Sequence, residues 1–108
     1  MTERVVIVEG VRTPIGRFGG TLKNVSSGFL ATHVITALLN KTGVHPEQVE
    51  EVILGEVRQT TESSNVARVA TIRAKLPVEV PAFTINRLCA SGMQAIASGV
   101  QQIQSGHA

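Results

Sequence analysis

Several residue types are scarce in this sequence, and each scarcity excludes a class of protein. The chain of 108 residues has one Cys, so no disulfide can form within it; this suits a reducing compartment, and we expect the cytoplasm. It has no Trp or Tyr and only three Phe, which leaves few platforms for stacking nucleic-acid bases. Ten Lys and Arg are scattered among eight Asp and Glu without a basic run. We therefore expect no nucleic-acid partner.

Signals for membranes and export are lacking as well. No apolar run is long enough to span a bilayer. No small-residue cleavage site follows the short apolar run near Met1, so we expect no secretory signal. The composition, 43% hydrophobic and 17% charged, is instead typical of a folded domain, and the length fits one domain with no membrane partner.

Motifs for metals and nucleotides are also missing. His33, His45 and His107 show no ligand spacing, and we interpret them as ordinary surface residues, so no metal is expected. Neither GxGxxG nor GxxxxGK[ST] is present to hold nucleotide phosphates. Glu50 and Glu51 are interpreted as a solvated approach to a strand rather than as an acid/base pair.

The apolar pattern predicts three strands. Residues 5–8 are a continuous β-branched run, typical of a strand buried on both faces. Residues 52–57 predict a second strand, in which Gly55 marks a bulge or a close backbone approach. Residues 81–86 alternate between apolar and polar side chains, which favours an edge strand. The stretch "VRTPIGRFGGTLKNVSS" (residues 11–27) is interpreted as a long loop.

Three helices are predicted between and after these strands. The first covers residues 29–42, the second follows Asn65 and runs to residue 76, and the third covers residues 91–105. Because each helix follows a strand, the order predicts an α/β fold with a parallel sheet and right-handed crossovers. The predicted caps and stops are Ser26 or Ser27 and Gly43 for the first helix, Asn65 and Pro77 for the second, and Gly106 for the third; Arg68, Arg73 and Lys75 are expected to face water.

The third predicted helix carries no charge, since residues 89–106 contain no Asp, Glu, Lys or Arg. A helix without a charged face is usually covered nearly all round, and small side chains allow another backbone to approach. Part of its surface is very small: Ala95, Ala97, Ser98 and Gly99. The helix therefore predicts a partner element that this sequence does not contain.

The single cysteine, Cys89, stands in "TINRLCASGMQAI" (residues 84–96) and has two interpretations. A lone Cys is commonly a small buried hydrophobe. Its place after a predicted strand and in the first turn of a helix instead favours a thiolate, because free backbone N–H groups and the helix dipole stabilise negative charge. The same N–H groups could hold an oxyanion on a thioester carbonyl. Arg87 either adds positive potential or is simply solvated, and the residues alone leave both interpretations open.

Four segments together resemble the N-terminal portion of thiolases, the family of acetyl-CoA acetyltransferases and 3-ketoacyl-CoA thiolases. They are "VRTPIGRFGGTLKNV", "VEEVILGEV", "NVAR" and, above all, "VPAFTINRLCASGMQAI", in family order over essentially the whole chain. The resemblance implies a βαβαβα part of a thiolase-like layered α/β/α domain. It places residues 1–108 in the N-terminal part of the thiolase N-terminal domain, without a C-terminal domain. The departures from the family pattern are Ala90, Glu56, Ser64 and Val66.

The resemblance also implies a function. Cys89 takes the position of the nucleophile that accepts an acyl group from a coenzyme A thioester, and its backbone N–H contributes to an oxyanion hole. Ser91 and Gly92 match the turn that lets the cysteine reach the substrate. The implied reaction joins two acetyl-CoA into acetoacetyl-CoA and CoA, or runs in reverse as thiolysis. Acyl-CoA and CoA are then substrates, and no cofactor is bound permanently.

Thiolases are homo-oligomers, dimers or tetramers, and associate through the strand that here covers residues 82–86. In the family, the third helix packs against its counterpart from a second domain. None of the three histidines matches a family catalytic position and no second Cys is present, so we expect the 108-residue chain alone to be inactive. Two alternatives remain: a non-catalytic α/β interaction module with Cys89 in its core, and another superfamily enzyme such as a ketoacyl synthase or hydroxymethylglutaryl-CoA synthase.

Overall fold

Three helices and two short strands form the regular structure of the computed structural model, which describes residues 3–108. A single 3₁₀ turn, Pro46–Gln48, precedes the first strand. In chain order the elements are α1 (Ser27–Thr42), β1 (Val52–Gly55), α2 (Val66–Arg73), β2 (Ala82–Ile85) and α3 (Ser91–Gln104).

The two strands pair in parallel, with Val52 opposite Ala82 and Gly55 opposite Ile85. Parallel neighbours need a long crossover, and α2 supplies it. The helix–strand order and the parallel pairing confirm the predicted α/β fold.

The two faces of this sheet carry different helices. Thr84 of β2 accepts a hydrogen bond from the Ala67 N–H of α2 at 3.1 Å, so its side chain faces α2. Gly55 lies against the first turn of α3, and successive strand residues point to opposite faces. Because Thr84 pairs with Leu54, the neighbour of Gly55, α2 and α3 cover opposite faces. Helix α1 packs on α2.

The helix ends follow the predicted capping residues. Ser26 accepts the Phe29 N–H through its hydroxyl at 3.1 Å, which makes it the N-cap of α1. Gly43 ends α1 in the left-handed region, φ 71°, where a glycine carries no steric penalty. No helix within residues 3–108 is long and apolar enough to cross a membrane.

Helix α2 is shorter than predicted, because it ends at Arg73 rather than residue 76. The chain leaves the helix through Lys75, whose φ is 63°, two residues before the proline that was expected to stop it. Arg68 also departs from prediction, since it does not simply face water. Its guanidinium donates to the carbonyls of Val80 at 3.1 Å and Val78 at 3.0 Å, which ties the helix to the segment before β2.

The core is concentrated around α2. Of the ten buried residues among positions 3–108, seven lie between positions 63 and 80, where α2 is enclosed by α1 and the sheet. They are Ser63, Val66, Ala67, Ala70, Thr71, Leu76 and Val80; the others are Gly28, Ser91 and Ala95.

The predicted strand over residues 5–8 is wrong. These residues have no regular structure, and Ile7 and Val8 are 84% and 78% exposed. A β-branched run favours the extended backbone, but a strand also needs ladder hydrogen bonds with a neighbour. Residues 5–7 instead line an open groove of about 570 Å³ together with Ile53 and Val100.

Candidate active site

Residues 86–91, called the Cys89 turn below, connect β2 to α3. Asn86 directly follows β2, and its side-chain oxygen accepts the Leu88 N–H at 2.9 Å. Asn commonly bonds its own backbone two residues on in this way, which favours a turn over a continued strand. The chain therefore reverses at the carboxyl end of the sheet and presents Cys89 there.

Ser91 closes the turn from its other end. Its hydroxyl accepts the Arg87 N–H at 2.8 Å and donates to the Leu88 carbonyl at 2.6 Å. Two backbone bonds tighten the turn further, from Ala90 N–H to the Arg87 carbonyl and from Ser91 N–H to the Leu88 carbonyl, each at 3.1 Å. Ser91 is only 2% exposed, so this polar side chain is satisfied entirely within the turn.

The turn is held in a conformation that its sequence does not favour. Leu88 has a φ of 50°, in the left-handed region, which costs a residue with a Cβ about 1–2 kcal/mol. Its side chain is 67% exposed, so core contacts do not impose this geometry. The hydrogen bonds from Asn86 and Ser91 are what hold it.

The turn also rests on the sheet. A Cβ on Gly55 would lie 2.4 Å from the Ser91 carbonyl carbon and 2.7 Å from the Gly92 nitrogen, so only a glycine allows β1 and α3 to meet this closely. The close backbone approach predicted at Gly55 is therefore confirmed, and it fixes the height of the Cys89 turn above the sheet.

Cys89 is a free and exposed thiol. The interpretation of this residue as a core side chain is therefore wrong. Within the turn, the N–H groups of Arg87, Leu88, Ala90 and Ser91 all have acceptors, whereas the N–H of Cys89 has none among residues 3–108. A solvent-facing thiol thus lies beside its own available backbone donor.

The position of Cys89 relative to α3 differs slightly from prediction. The N-cap of α3 is Ala90 and its first residue is Ser91, so Cys89 precedes the helix rather than lying in its first turn. The left-handed Leu88 and the short turn bonds delay the start of the helix. Arg87 is exposed, and its guanidinium donates to the Gln94 side-chain oxygen.

Helix α3 leaves an apolar face open beside the thiol. Met93 is 78% exposed and Ile96 is 62% exposed, and no charged residue interrupts the helix. On the covered face of α3, Ala95 is buried, and a Cβ added to Gly99 would lie 4.0 Å from the Ile53 side chain. That a further element packs on this open face of α3 remains a prediction.

Other polar groups do not join Cys89. His33 stacks on Phe29 in α1, with ring centroids 6.2 Å apart, and His107 bonds Ser105 at the far end of α3. Glu56 follows β1, and its Oε1 is out of solvent without a hydrogen-bond partner among the described residues. Within residues 3–108, no group of three or more His, Cys, Asp or Glu side chains is arranged to hold a metal ion.

The sequence predicts roles for Cys89, Ser91 and Gly55 but assigns Asn86 only to the end of a strand. A signal for Asn86 is nevertheless present, because an Asn at the end of a strand pattern often bonds its own backbone two residues on and so begins a turn.

Comparison with known proteins adds the family. The model described as "Thiolase, N-terminal domain" matches residues 5–108. An acetyl-CoA acetyltransferase of Syntrophomonas wolfei is 46% identical over 108 residues, covering 100% of this chain and 27% of that protein. One of Cupriavidus necator is 46% identical over 104 residues, covering 96% of this chain and 26% of that protein.

A solved structure agrees with these relatives. The crystal structure of the Bacillus anthracis acetyl-CoA acetyltransferase has a TM-score of 0.86 and 49% identity, covering 91% of this chain and 25% of that chain. The thiolase-like α/β fold expected from the sequence is confirmed by this likeness. The chain spans about a quarter of the length of the proteins it matches.

Proposed function

The chain belongs to the thiolase family, and from that premise we propose that Cys89 is the nucleophile in acyl transfer between coenzyme A thioesters. The observation that carries the proposal is the Cys89 turn. It exposes the thiol, and of the backbone donors of residues 87–91 only the Cys89 N–H has no acceptor in the part of the chain that the structure describes.

The first half of the proposed reaction is the acylation of Cys89. The Cys89 sulfur forms a bond to the thioester carbonyl carbon, and the carbonyl oxygen becomes an oxyanion that accepts the free N–H of Cys89. The bond from that carbon to the CoA sulfur then breaks, and the departing CoA thiolate takes up the proton that Cys89 gave up. CoA thioesters are substrates in this scheme, and no permanently bound cofactor takes part.

In the second half of the proposed reaction, the acyl group leaves Cys89. The carbanion of a second acetyl-CoA forms a carbon–carbon bond to the acyl carbon, which releases the Cys89 thiolate and acetoacetyl-CoA; thiolysis is the reverse. This half needs a base to form the carbanion. His107 lies just beyond the far end of α3, whose 14 residues separate it from Cys89 by roughly 20 Å at 1.5 Å per residue. We therefore propose that the 108-residue polypeptide by itself stops at slow acylation.

Assembly is part of the same proposal. The open face of α3 at Met93 and Ile96 is uncharged, as a surface that packs on a second domain would be. Strand β2 pairs only with β1 among the described residues, which leaves its other edge available for a second subunit. We propose a homo-oligomer, dimer or tetramer, for the complete enzyme, working in a reducing compartment such as the cytoplasm that keeps Cys89 as a thiol.

The test is a single-turnover reaction of the chain with acetyl-CoA, read as a mass increase of one acetyl group. A peptide of residues 84–96 serves as the matched unstructured thiol, and Cys89→Ala as the blank. Since an oxyanion-hole donor is worth about 100-fold or more, we expect the chain to acylate at least about tenfold faster than the peptide, with no acetoacetyl-CoA formed. Equal acylation rates for the chain and the peptide would refute the proposal that Cys89 is the nucleophile. Sustained formation of acetoacetyl-CoA would refute only the proposal that the 108-residue polypeptide stops at acylation.

The alternatives are less well supported. A non-catalytic module with a core cysteine conflicts with the exposed thiol. The thiolase model and the acetyl-CoA acetyltransferase relatives favour a thiolase proper over a ketoacyl synthase or hydroxymethylglutaryl-CoA synthase.

A further inference from the structure

Asn86 uses both ends of its side-chain amide. The oxygen accepts the Leu88 N–H at 2.9 Å, and the nitrogen donates to the Val57 carbonyl, also at 2.9 Å. Val57 lies just beyond β1, whereas Leu88 lies in the turn beyond β2. One side chain therefore joins the chain segments that leave the two strands.

These two bonds add to those that Ser91 makes within the turn, and the bond to Val57 is the one that reaches outside it. Leu88 occupies the left-handed region, and its exposed side chain gives it no core contact. Below the turn, Gly55 and Ser91 set its height on the sheet. The bond from Asn86 to Val57 ties the turn to the segment after β1. Together with the contact between Gly55 and Ser91, this bond restricts both the height and the tilt of the Cys89 turn.

Asn86 itself is exposed, and its two bonds go only to backbone groups at the carboxyl ends of the strands. A residue kept for core stability would be expected to be buried among apolar side chains, as those of α2 are. This difference separates a role in stabilising the fold from a role in holding one turn.

We infer that Asn86 is a positioning residue, which clamps the Cys89 turn to the segment after β1 and so aims the Cys89 thiol and N–H together at the thioester carbonyl. The inference rests on the proposed function of Cys89. Misplacing a reacting group by about 1 Å can cost about 100-fold in rate, so a clamp of this kind acts on acyl transfer without touching the substrate.

Three variants of the whole chain test this. Asn86→Ala removes both bonds, and Asn86→Asp keeps the acceptor for Leu88 but cannot donate to Val57. Asn40→Ala, at an exposed position on α1, is the matched control. Each is compared with the unsubstituted chain in acylation by acetyl-CoA and in alkylation by iodoacetamide, and its fold is checked by circular dichroism.

The ratio of the two rates is the informative readout, because alkylation needs an accessible thiol but no oxyanion donor. We expect both Asn86 variants to lower acylation about tenfold or more while alkylation stays within about twofold. Asn40→Ala should change neither rate. Equal acylation in all chains, or an equal fall in acylation and alkylation, would overturn the inference.

A second measurement tests the role of Asn86 without relying on acylation. It remains informative if the unsubstituted chain acylates no faster than the 84–96 peptide, in which case the proposed function itself fails. Amide hydrogen exchange at Leu88 should accelerate in Asn86→Ala and stay slow in Asn86→Asp, because only the latter keeps the acceptor. Unchanged exchange in Asn86→Ala would show that the side chain holds nothing, and the inference would be abandoned.

Discussion

Replacing Gly55 by Ala should disturb both the stability of the chain and the reactivity of Cys89. The added Cβ would lie 2.4 Å from the Ser91 carbonyl carbon and 2.5 Å from its oxygen. Ordinary contact begins near 3.4 Å, so the shorter separation falls about 1.0 Å short. Both atoms belong to the backbone and cannot rotate away, so α3 and the Cys89 turn must move.

Two opposing terms set the size of the effect. Overpacking of this kind costs about 1–3 kcal/mol. Losing the backbone freedom of a glycine in the unfolded chain returns about 0.4–1 kcal/mol. We expect the free energy of unfolding to fall by about 1–2 kcal/mol, because the backbone overlap places the cost toward the upper part of its range. A displacement near 1 Å should also slow acylation by up to about 100-fold.

Urea unfolding measures the first effect, and single-turnover acylation by acetyl-CoA measures the second. Gly99→Ala is the matched control. Gly99 lies on the face of α3 that packs on β1, and its added Cβ would meet only the Ile53 side chain, at 4.0 Å. This substitution should raise stability by up to about 1 kcal/mol through helix propensity and leave the acylation rate unchanged. If Gly55→Ala kept both the stability and the acylation rate of the unsubstituted chain, the idea that Ser91 rests on Gly55 would be refuted.

Two further predictions concern the fold around the site. Asn65→Ala should lower the unfolding free energy by about 2 kcal/mol, against about 1 kcal/mol for Ser26→Ala, in urea unfolding. Asn65 caps α2 and also bonds Thr84 at 2.6 Å and the Ala82 carbonyl at 3.2 Å, whereas Ser26 only caps α1, so equal losses would contradict the tie to β2. The pKa of Glu9 is held below its ordinary value, first by the Gly10 N–H and then by Lys41, so Lys41→Gln should raise it only part of the way back in an NMR titration. Because the folded-state pKa is the lower one, this carboxylate favours the folded chain at neutral pH and loses that effect as the pH falls through the lowered pKa; a Glu9 pKa unmoved by Lys41→Gln would contradict the pairing.

The sequence predicted most of the helices and the cysteine because these depend on local signals. Ser26, Gly43 and Asn65 are capping residues whose short-range bonds are formed as predicted. A glycine inside a strand pattern predicts a bulge or a close backbone approach, and at Gly55 the close approach is formed.

Three of the failures concern partners that lie far apart along the chain. The run at residues 5–8 has strand propensity, but pairing depends on a neighbouring edge that propensity cannot reveal. Helical periodicity predicts that Arg68 faces solvent, yet its guanidinium donates hydrogen bonds to carbonyls ten and twelve residues away. The Asn86 bond to Val57 spans 29 residues, so only its shorter bond to Leu88 had a signal in the sequence.

The concentration of buried residues around α2 has a consequence for how this protein can change by mutation. Seven of the ten residues that are buried in the described part of the chain lie between positions 63 and 80, while Cys89 is at the surface. Selection for thermal robustness would therefore act mainly on one set of side chains, and selection for catalytic rate on another, which relaxes the usual trade-off between stability and activity. The conflict is concentrated at Gly55, Asn86 and Ser91, which belong both to the scaffold and to the Cys89 turn or its direct contacts.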